Sequence, residues 1–311
     1  MPVADLRVLA EQAAGSGRGI GAFNVIHLES AAVFAAAAER AGTPVVMQIS
    51  QNAVAYHGAL EPLATAVLSV ARASSAPVVV HLDHATDTGL IREAVDLGFS
   101  SVMFDGSTLP VEENLTVTAE VVAHCHLRGV AVEAELGEVG GKNGVHDPSA
   151  RTDPREAADF VARTGVDLLA VAVGSSHAMT TRGAVLDTAL ITAIAREVPV
   201  PLVLHGSSGV SDEGMRAAID AGMTKINVST HLNKIFTTTV RELLAAQPDV
   251  VDTRRWFRAG NAAVGDEVER LLRWYAGPAY EPAGQLSGAS LPPSTTSSWA
   301  PGSSVQSSLG R

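Results

Sequence analysis

The chain has 311 residues, 46% of them hydrophobic, and a formal net charge of −11. This acidic balance argues against the broad basic surface that phosphate-backbone binding requires, so nucleic acid is not expected as a partner. No stretch approaches the roughly 18 consecutive apolar residues of a membrane span, and the N-terminus lacks a signal-peptide pattern. The single cysteine, Cys125, excludes an intramolecular disulfide, and we expect a cytoplasmic protein.

Eight short apolar runs alternate with helical patterns along the chain. In order, the runs are GIGAFNVI, PVVMQIS, PVVVHLD, SSVMFDG, VAVEAELG, DLLAVAVG, PLVLHGS and TKINVST. Helices are predicted after them, most clearly over residues 29–41, 87–97, 111–128, 154–164 and 211–221. Nearly continuous apolar runs joined by helices are typical of parallel strands that are covered on both faces.

Eight such units predict an α/β protein with a (β/α)8 TIM barrel, and a doubly wound open sheet is the competing architecture. The barrel is favoured because polar residues cluster at the C-terminal ends of the strands, which converge on one site in a barrel. After the eighth strand we expect a helix over residues 231–246, an arginine-rich segment DTRRWFRAGN and a last helix that ends near Tyr275. Residues 1–276 are therefore predicted to form one catalytic domain, and residues 277–311, rich in Ser, Pro and Gly, a disordered tail.

Three histidines, His84, His177 and His205, come at the ends of the third, sixth and seventh strands. Any one of them alone would be interpreted as a hydrogen-bonded strand-end residue, but three at equivalent ends indicate a site for zinc or a similar divalent ion. Asp83 directly precedes His84. Because adjacent strand residues point to opposite faces, both can point inward only where the chain leaves the regular strand.

Carboxylates occur at the ends of the neighbouring fourth and fifth strands. Asp105 ends strand four, while Glu133 and Glu135 alternate along strand five and so share one face. Carboxylates on so apolar a strand must be paired or bind a cation, with surface salt bridges as the alternative. Glu135, the nearer to the barrel mouth, is therefore predicted to be a ligand of a second or alternate metal, with Asp105 beside it.

Two loops carry the donors that a phosphate group requires. HGSSG follows strand seven, and residues 227–230, Asn-Val-Ser-Thr, follow strand eight. Barrels often bind phosphate with these two loops, through backbone N–H groups and hydroxyls. Ordinary turn and capping chemistry is the alternative interpretation.

Seven motifs together resemble the class II, metal-dependent fructose-bisphosphate and tagatose-bisphosphate aldolases over about residues 21–273: AFNV, HLDHATD, SVMFDGS, VEAELGEVGG, GSSHAM, LHGSSGV and KINVST. The resemblance implies a catalytic Zn²⁺ held by His84, His177 and His205, and a second or alternate metal at Asp105 and Glu135. It also implies that Asp83 is the general acid/base. The metal would act as a Lewis acid in the reversible cleavage of a ketose 1,6-bisphosphate to dihydroxyacetone phosphate and glyceraldehyde 3-phosphate.

The resemblance further implies contacts with the phosphorylated ketose and with the triose phosphates. The implied substrate-binding residues are Ser50, Ala178, Gly206, Ser207, Ser208, Asn227, Val228, Ser229, Thr230 and Arg254. Arg254 matches an arginine often contributed across a dimer, so a homo-oligomer, dimer or tetramer, is expected. Two positions depart from the family pattern: Ala178 replaces the usual glycine, and the loop after strand five carries Lys142 and Asn143 in place of acidic residues.

A Schiff-base aldolase is disfavoured because it needs a lysine that points inward near the mouth. Lys225 begins its strand, and Lys142 and Lys234 lie outside the strands. Two other functions stay open: a phosphosugar-binding relative that has lost catalysis, and a metal-dependent barrel hydrolase. The hydrolase predicts His-x-His on strand one, where this chain reads AFNVIH. Fructose 1,6-bisphosphate is the default substrate, and tagatose bisphosphate is the close alternative.

Overall fold

The computed structural model describes residues 3–136, 151–176, 179 and 181–277. Within these ranges, eight parallel strands close into a barrel in chain order, so the TIM barrel is confirmed and the open sheet is excluded. The strands are β1 (Ile20–Asn24), β2 (Val45–Ser50), β3 (Val78–Ala85), β4 (Ser101–Phe104), β5 (Ala131–Leu136), β6 (Leu168–Val171), β7 (Leu202–Leu204) and β8 (Met223–Val228).

The helices cover the outside of the barrel, and the five clearest predicted ones are confirmed to within two residues at each end. The helices are α1 (Leu6–Gly15), α2 (Leu28–Ala41), α3 (Gln51–His57), α4 (Glu61–Ala73), α5 (Thr88–Leu97), α6 (Val111–His126), α7 (Pro154–Thr164), α8 (Thr188–Glu197), α9 (Asp212–Ala221), α10 (Thr230–Ala246) and α11 (Thr253–Ala276). In the described part of the chain, none of these is both long and apolar enough to cross a membrane.

The C-terminal region differs from the prediction in one respect. The arginine-rich segment is the first part of α11, because Asp252 caps that helix by accepting a hydrogen bond from the Arg254 backbone N–H. Capping by an aspartate satisfies an N–H that the helix itself leaves without a partner. Residues 278–311 lie outside the described ranges, so the disordered tail stays a prediction.

The core has two parts, separated by the wall of the barrel. Between strands and helices lies a large apolar layer, to which Phe23 and Phe34 belong. Inside the barrel, Ile20, Ala22 and other alternate strand residues pack against Leu6 of α1. The Ala4 N–H also donates to the first residue of β3, Val78 O, at 2.8 Å. Helix α1 therefore closes the N-terminal end of the barrel and leaves the other end open.

A bulge in β3 turns two successive residues toward the barrel interior. Between the pairs Leu82–Val102 and Ala85–Phe104, β3 advances by three residues and β4 by two. At this point His84 has a φ of 49°, the one positive value at a non-glycine residue in the described ranges. The strand does not stay regular at this point, as expected, but β3 does not end here: it continues to Ala85 through a local irregularity that redirects a side chain.

A second bulge lies in β8. There Leu202 pairs with Met223 and Val203 with Lys225, so β8 has one extra residue relative to β7. Met223 consequently packs in the outer apolar layer, whereas Lys225 is fully buried on the barrel's inner side. In a regular strand these two residues would share a face.

Candidate active site

An open cavity of about 200 Å³ lies at the C-terminal ends of the strands. The lining residues are Asn24, Gln48, Ser50, Asn52, Asp83, His84, Gly206, Ser207, Ser208, Asn227, Ser229 and Thr230. The structure thus brings most of the sequence-predicted substrate residues together with Asp83 and His84.

Asp83 is almost completely buried and is surrounded by amide donors. Its Oδ2 accepts hydrogen bonds from Asn24 Nδ2 at 3.0 Å and Gln48 Nε2 at 3.3 Å, and its Oδ1 accepts one from Asn227 Nδ2 at 3.3 Å. Burial raises the pKa of the carboxyl, but the neighbouring His84 and Lys225 outweigh it and bring the pKa below its usual range. The geometry therefore holds Asp83 as a carboxylate that can accept a proton.

Two of these amides were missed by sequence reasoning. Asn24 and Gln48 each interrupt an otherwise apolar strand, in GAFNV and VVMQIS. An amide on the inner face of a buried strand needs polar partners, so an amide in an apolar strand is the sequence feature that could have identified both residues. Gln48 Nε2 also donates to Asn24 Oδ1 at 2.9 Å, which fixes the orientation of both amides.

Carboxylates orient the two described histidines. His84 Nδ1 donates to Asp105 Oδ2 at 2.8 Å, so Nε2 is the nitrogen that would face an ion. His205 is fully buried, with Nδ1 2.9 Å from Glu135 Oε2 and Nε2 3.0 Å from Glu133 Oε1. In the metal-free site, burial lowers the pKa of His205, but the two carboxylates raise it to about 9, and a bound cation would displace that proton. Both glutamates therefore face inward, and the surface salt-bridge alternative is excluded.

The donor set fits a divalent cation. Ligand atoms of Asp83, His84 and His205 lie within 4.8 Å of one another, and the same holds for His84, Asp105 and Glu135. Imidazoles whose second nitrogen is held by a carboxylate are typical of protein metal sites. His177 and Ala178 lie outside the described residues, so the third predicted imidazole and its neighbour stay a prediction.

The two phosphate-type loops are joined to each other. Gly206 has a φ of 66°, and a Cβ there would come 2.7 Å from the Ser176 backbone, so this position requires glycine. Ser207 Oγ donates to Asn227 O, and Ser208 Oγ accepts from the His231 N–H at 3.2 Å. The loop after β7 is therefore held against the loop after β8, with both facing the cavity.

Comparison with known proteins decides which family has this arrangement. The family model described as "Fructose-bisphosphate aldolase class-II" matches residues 4–277. The chain belongs to this family. Class II aldolases are lyases that act on phosphorylated sugars and generally depend on a divalent metal. The family resemblance is thereby confirmed, and the barrel-hydrolase alternative is excluded.

Relatives of this aldolase match it over most of their length. The "Fructose-bisphosphate aldolase" of Geobacillus stearothermophilus is 38% identical over 277 residues, which cover 88% of this chain and 96% of the relative. The crystal structure of the YdjI aldolase from Escherichia coli K12 has a TM-score of 0.78 at 33% identity and covers 89% of this chain and all of its own. A putative fructose-1,6-biphosphate aldolase from Coccidioides immitis has the same TM-score and identity, with 87% and 95% covered.

Three predicted substrate residues of the aldolase differ in their placement relative to the cavity. Ser50 lines the cavity at the end of β2, where its Oγ also caps α3 by accepting the Ala53 N–H at 3.2 Å. Val228 packs its side chain in the outer apolar layer, which leaves its backbone for any ligand contact. Arg254 is 84% exposed, pairs with Asp252 at 2.9 Å and is not among the residues that line the cavity. Its role across a dimer stays a prediction.

The placement of Lys225 in the aldolase corrects the sequence interpretation. It is the third residue of β8 and points into the barrel, with Nζ 2.8 Å from Glu133 Oε2 and 2.9 Å from Asn227 Oδ1. The extra residue at the bulge produces this inward position, which strand position alone did not predict. A Schiff base needs a neutral amine that reaches the substrate, so this ion-paired ammonium below the cavity still disfavours that chemistry.

Proposed function

We propose that this aldolase reversibly cleaves the C3–C4 bond of a ketose 1,6-bisphosphate, with fructose 1,6-bisphosphate as the default substrate, to dihydroxyacetone phosphate and glyceraldehyde 3-phosphate. The observation that carries the proposal is the ionised Asp83, held by three amides beside two oriented imidazoles in a cavity that also contains two phosphate-type loops. The names of the relatives, fructose-bisphosphate aldolases, support the choice of sugar.

The proposed metal is one Zn²⁺ ion held by His84, His177 and His205, with Asp105 and Glu135 as ligands of a second or alternate site. When bound, the ion supplies Lewis-acid stabilisation of the negative charge that develops beside the ketose carbonyl. The contact between His84 Nδ1 and Asp105 supports this assignment because it leaves Nε2 of His84 to meet the ion.

Asp83 is the proposed general acid/base. It removes the proton of the C4 hydroxyl during cleavage and returns a proton to the aldehyde oxygen during condensation. Its three amide donors keep the carboxylate in place while its charge changes. No other described carboxylate lies both in the cavity lining and in such an amide cradle.

Phosphate binding is assigned to the two joined loops. Residues 206–208 and 227–230 offer backbone N–H groups and hydroxyls, and Ala178 belongs to the same proposed phosphate-binding site. Ser50 is proposed to contact the aldehyde-side phosphate, assisted by Arg254 from a second protomer of a homo-oligomer.

We also propose a cytoplasmic location for this enzyme, in line with its single cysteine.

The test is a retro-aldol assay on fructose and tagatose 1,6-bisphosphates, before and after metal removal and after Zn²⁺ is restored. We expect triose phosphate release that disappears with chelation and returns with the metal. Faster cleavage of the tagatose isomer would reassign the substrate without changing the reaction class. Bound metal without cleavage of either sugar would instead identify a phosphosugar-binding relative, and cleavage unaffected by complete metal removal would contradict the proposed chemistry.

A further inference from the structure

Below the cavity lies a buried ion pair that the proposed reaction does not use. The side chains of Lys225 and Glu133 are both fully buried and meet at 2.8 Å. A buried charge without a partner is strongly unfavourable, so the two side chains stabilise each other in the interior. Since well-packed apolar residues can usually replace such a pair without loss of stability, stability alone does not account for it.

The first arm of this pair leads to Asp83. Lys225 Nζ donates to Asn227 Oδ1 at 2.9 Å, and Asn227 Nδ2 donates to Asp83 Oδ1 at 3.3 Å. An ammonium only donates and a carboxylate only accepts, so the amide between them fits in one orientation. With its oxygen held by Lys225, the amide presents its NH2 group to Asp83. The reversed amide would place an oxygen against the carboxylate.

The second arm leads to His205. Glu133 Oε2 contacts Lys225, and its Oε1 lies 3.0 Å from His205 Nε2. His205 Nδ1 in turn lies 2.9 Å from Glu135 Oε2, so the contact with Glu133 fixes the ring of His205 beside another proposed metal ligand. One ammonium thus contacts both the amide that positions the acid/base and the carboxylate that positions a metal ligand.

We propose that Lys225 is a positioning residue of this aldolase, which orients Asp83 through Asn227 and His205 through Glu133. The inference rests on the proposed function, since it concerns the same acid/base and the same metal ligands. The proposal adds to the site a residue that neither lines the cavity nor contacts the proposed metal ligands directly.

The primary test is Lys225→Met, which removes the ammonium and keeps a long side chain. We expect kcat to fall by about 10- to 100-fold with KM within about twofold, because the backbone N–H groups and hydroxyls assigned to phosphate binding are unchanged. Zn²⁺ titration of the metal-stripped protein should show affinity about tenfold weaker or lower. In a background of Asn227→Ala, the kcat effect of Lys225→Met should shrink, since the first arm is already broken.

Two further variants make the outcome decisive. Glu133→Gln with Lys225→Met removes both charges and should fold, yet keep the losses in kcat and Zn²⁺ affinity. Leu168→Ala opens a space in the apolar interior of the barrel and should lower thermal stability while leaving kcat and Zn²⁺ affinity near wild type.

The proposal is overturned if the folded double variant keeps kcat and Zn²⁺ affinity within twofold of wild type, or if Leu168→Ala reproduces the losses. Failure of both charge variants to fold would also overturn it, because the pair would then be a structural requirement. If wild type cleaves neither sugar, the proposed function fails, while the Zn²⁺ titrations still test the arm through Glu133.

Discussion

At Asp83, three amides and nearby cations decide what one carboxyl group can do. A carboxyl buried this deeply would normally retain its proton, and its neighbours reverse that tendency. Two of the amides come from β1 and β2 and one from β8, so strands distant in the sequence converge on a single side chain. Chemistry at this position therefore depends on neighbours that the local sequence does not contain.

Asp83→Asn should lower kcat by about 10²- to 10⁴-fold, the contribution typical of a general acid/base, because the amide cannot take up the proton. Metal content, measured by elemental analysis, should stay close to wild type. Asp87→Asn is the matched control, because Asp87 caps α5 from the surface and asparagine caps about as well. A variant of Asp83 that retains more than a tenth of wild-type kcat would remove it from the mechanism.

Gly206→Ala should weaken phosphate binding. The new methyl group would approach the Ser176 backbone to 2.7 Å, in a backbone conformation that L residues rarely adopt, so the loop must shift. We expect KM for the bisphosphate to rise about tenfold or more. Gly183→Ala is the control, because a methyl group added at Gly183 would meet no other atom within 4 Å. Equal KM values in the two variants would argue against phosphate binding by this loop.

Among the secondary-structure elements, three helices at the rim of the barrel are tied together by charge. Asp212 of α9 pairs with Arg270 of α11 at 2.8 Å, and Glu267 of α11 contacts His231 of α10 at 2.6 Å. His231 is also the residue whose N–H donates to Ser208. The ion pairs therefore also stabilise the loop after β7, because His231 contacts both Glu267 and Ser208.

Glu267→Gln should lower the free energy of unfolding by roughly 2–3 kcal/mol at pH 7. Burial raises the pKa of Glu267, but Arg270 and His231 outweigh it and lower the pKa to about 2. A depressed pKa contributes stability that is complete above the unfolded value of 4.5 and is lost as the pH falls through about 2.

Urea unfolding of wild type and Glu267→Gln at several pH values measures this effect. The difference between the two proteins should shrink below pH 4.5 and vanish near pH 2. The exposed Glu120 of α6 supplies the control, since Glu120→Gln should change little at any pH. A difference that stays constant down to pH 2 would show that the contribution does not come from the charge.

In the molecule as a whole, the apolar groups that close the barrel and the polar groups of the candidate site lie in different parts of the barrel. Its N-terminal end is closed by apolar side chains and α1, and the charged and amide side chains lie between this closed end and the cavity. An ion that binds only the folded barrel must stabilise it, because the ligands come from strands that are far apart in the sequence.

Metal removal should therefore lower the thermal unfolding midpoint, and Zn²⁺ should restore it. With metal at about 100 times its dissociation constant, linkage predicts a gain of about 2.7 kcal/mol. His84→Ala should lose most of this gain, as seen by differential scanning calorimetry with and without Zn²⁺. An equal metal-induced shift in wild type and His84→Ala would exclude His84 as a ligand.

Local patterns along the chain were enough to predict the barrel, its eight strands and the strand ends at which Asp83, His84 and His205 meet. This works because strand and helix periodicities are properties of neighbouring residues, and closure of the barrel brings equivalent ends together. The bulges at His84 and Lys225, the amide cradle and the plug formed by α1 depend instead on contacts between distant segments. Those contacts exist once the strands pair in register, so the inward lysine and the orientation of each ligand were settled by packing across the barrel.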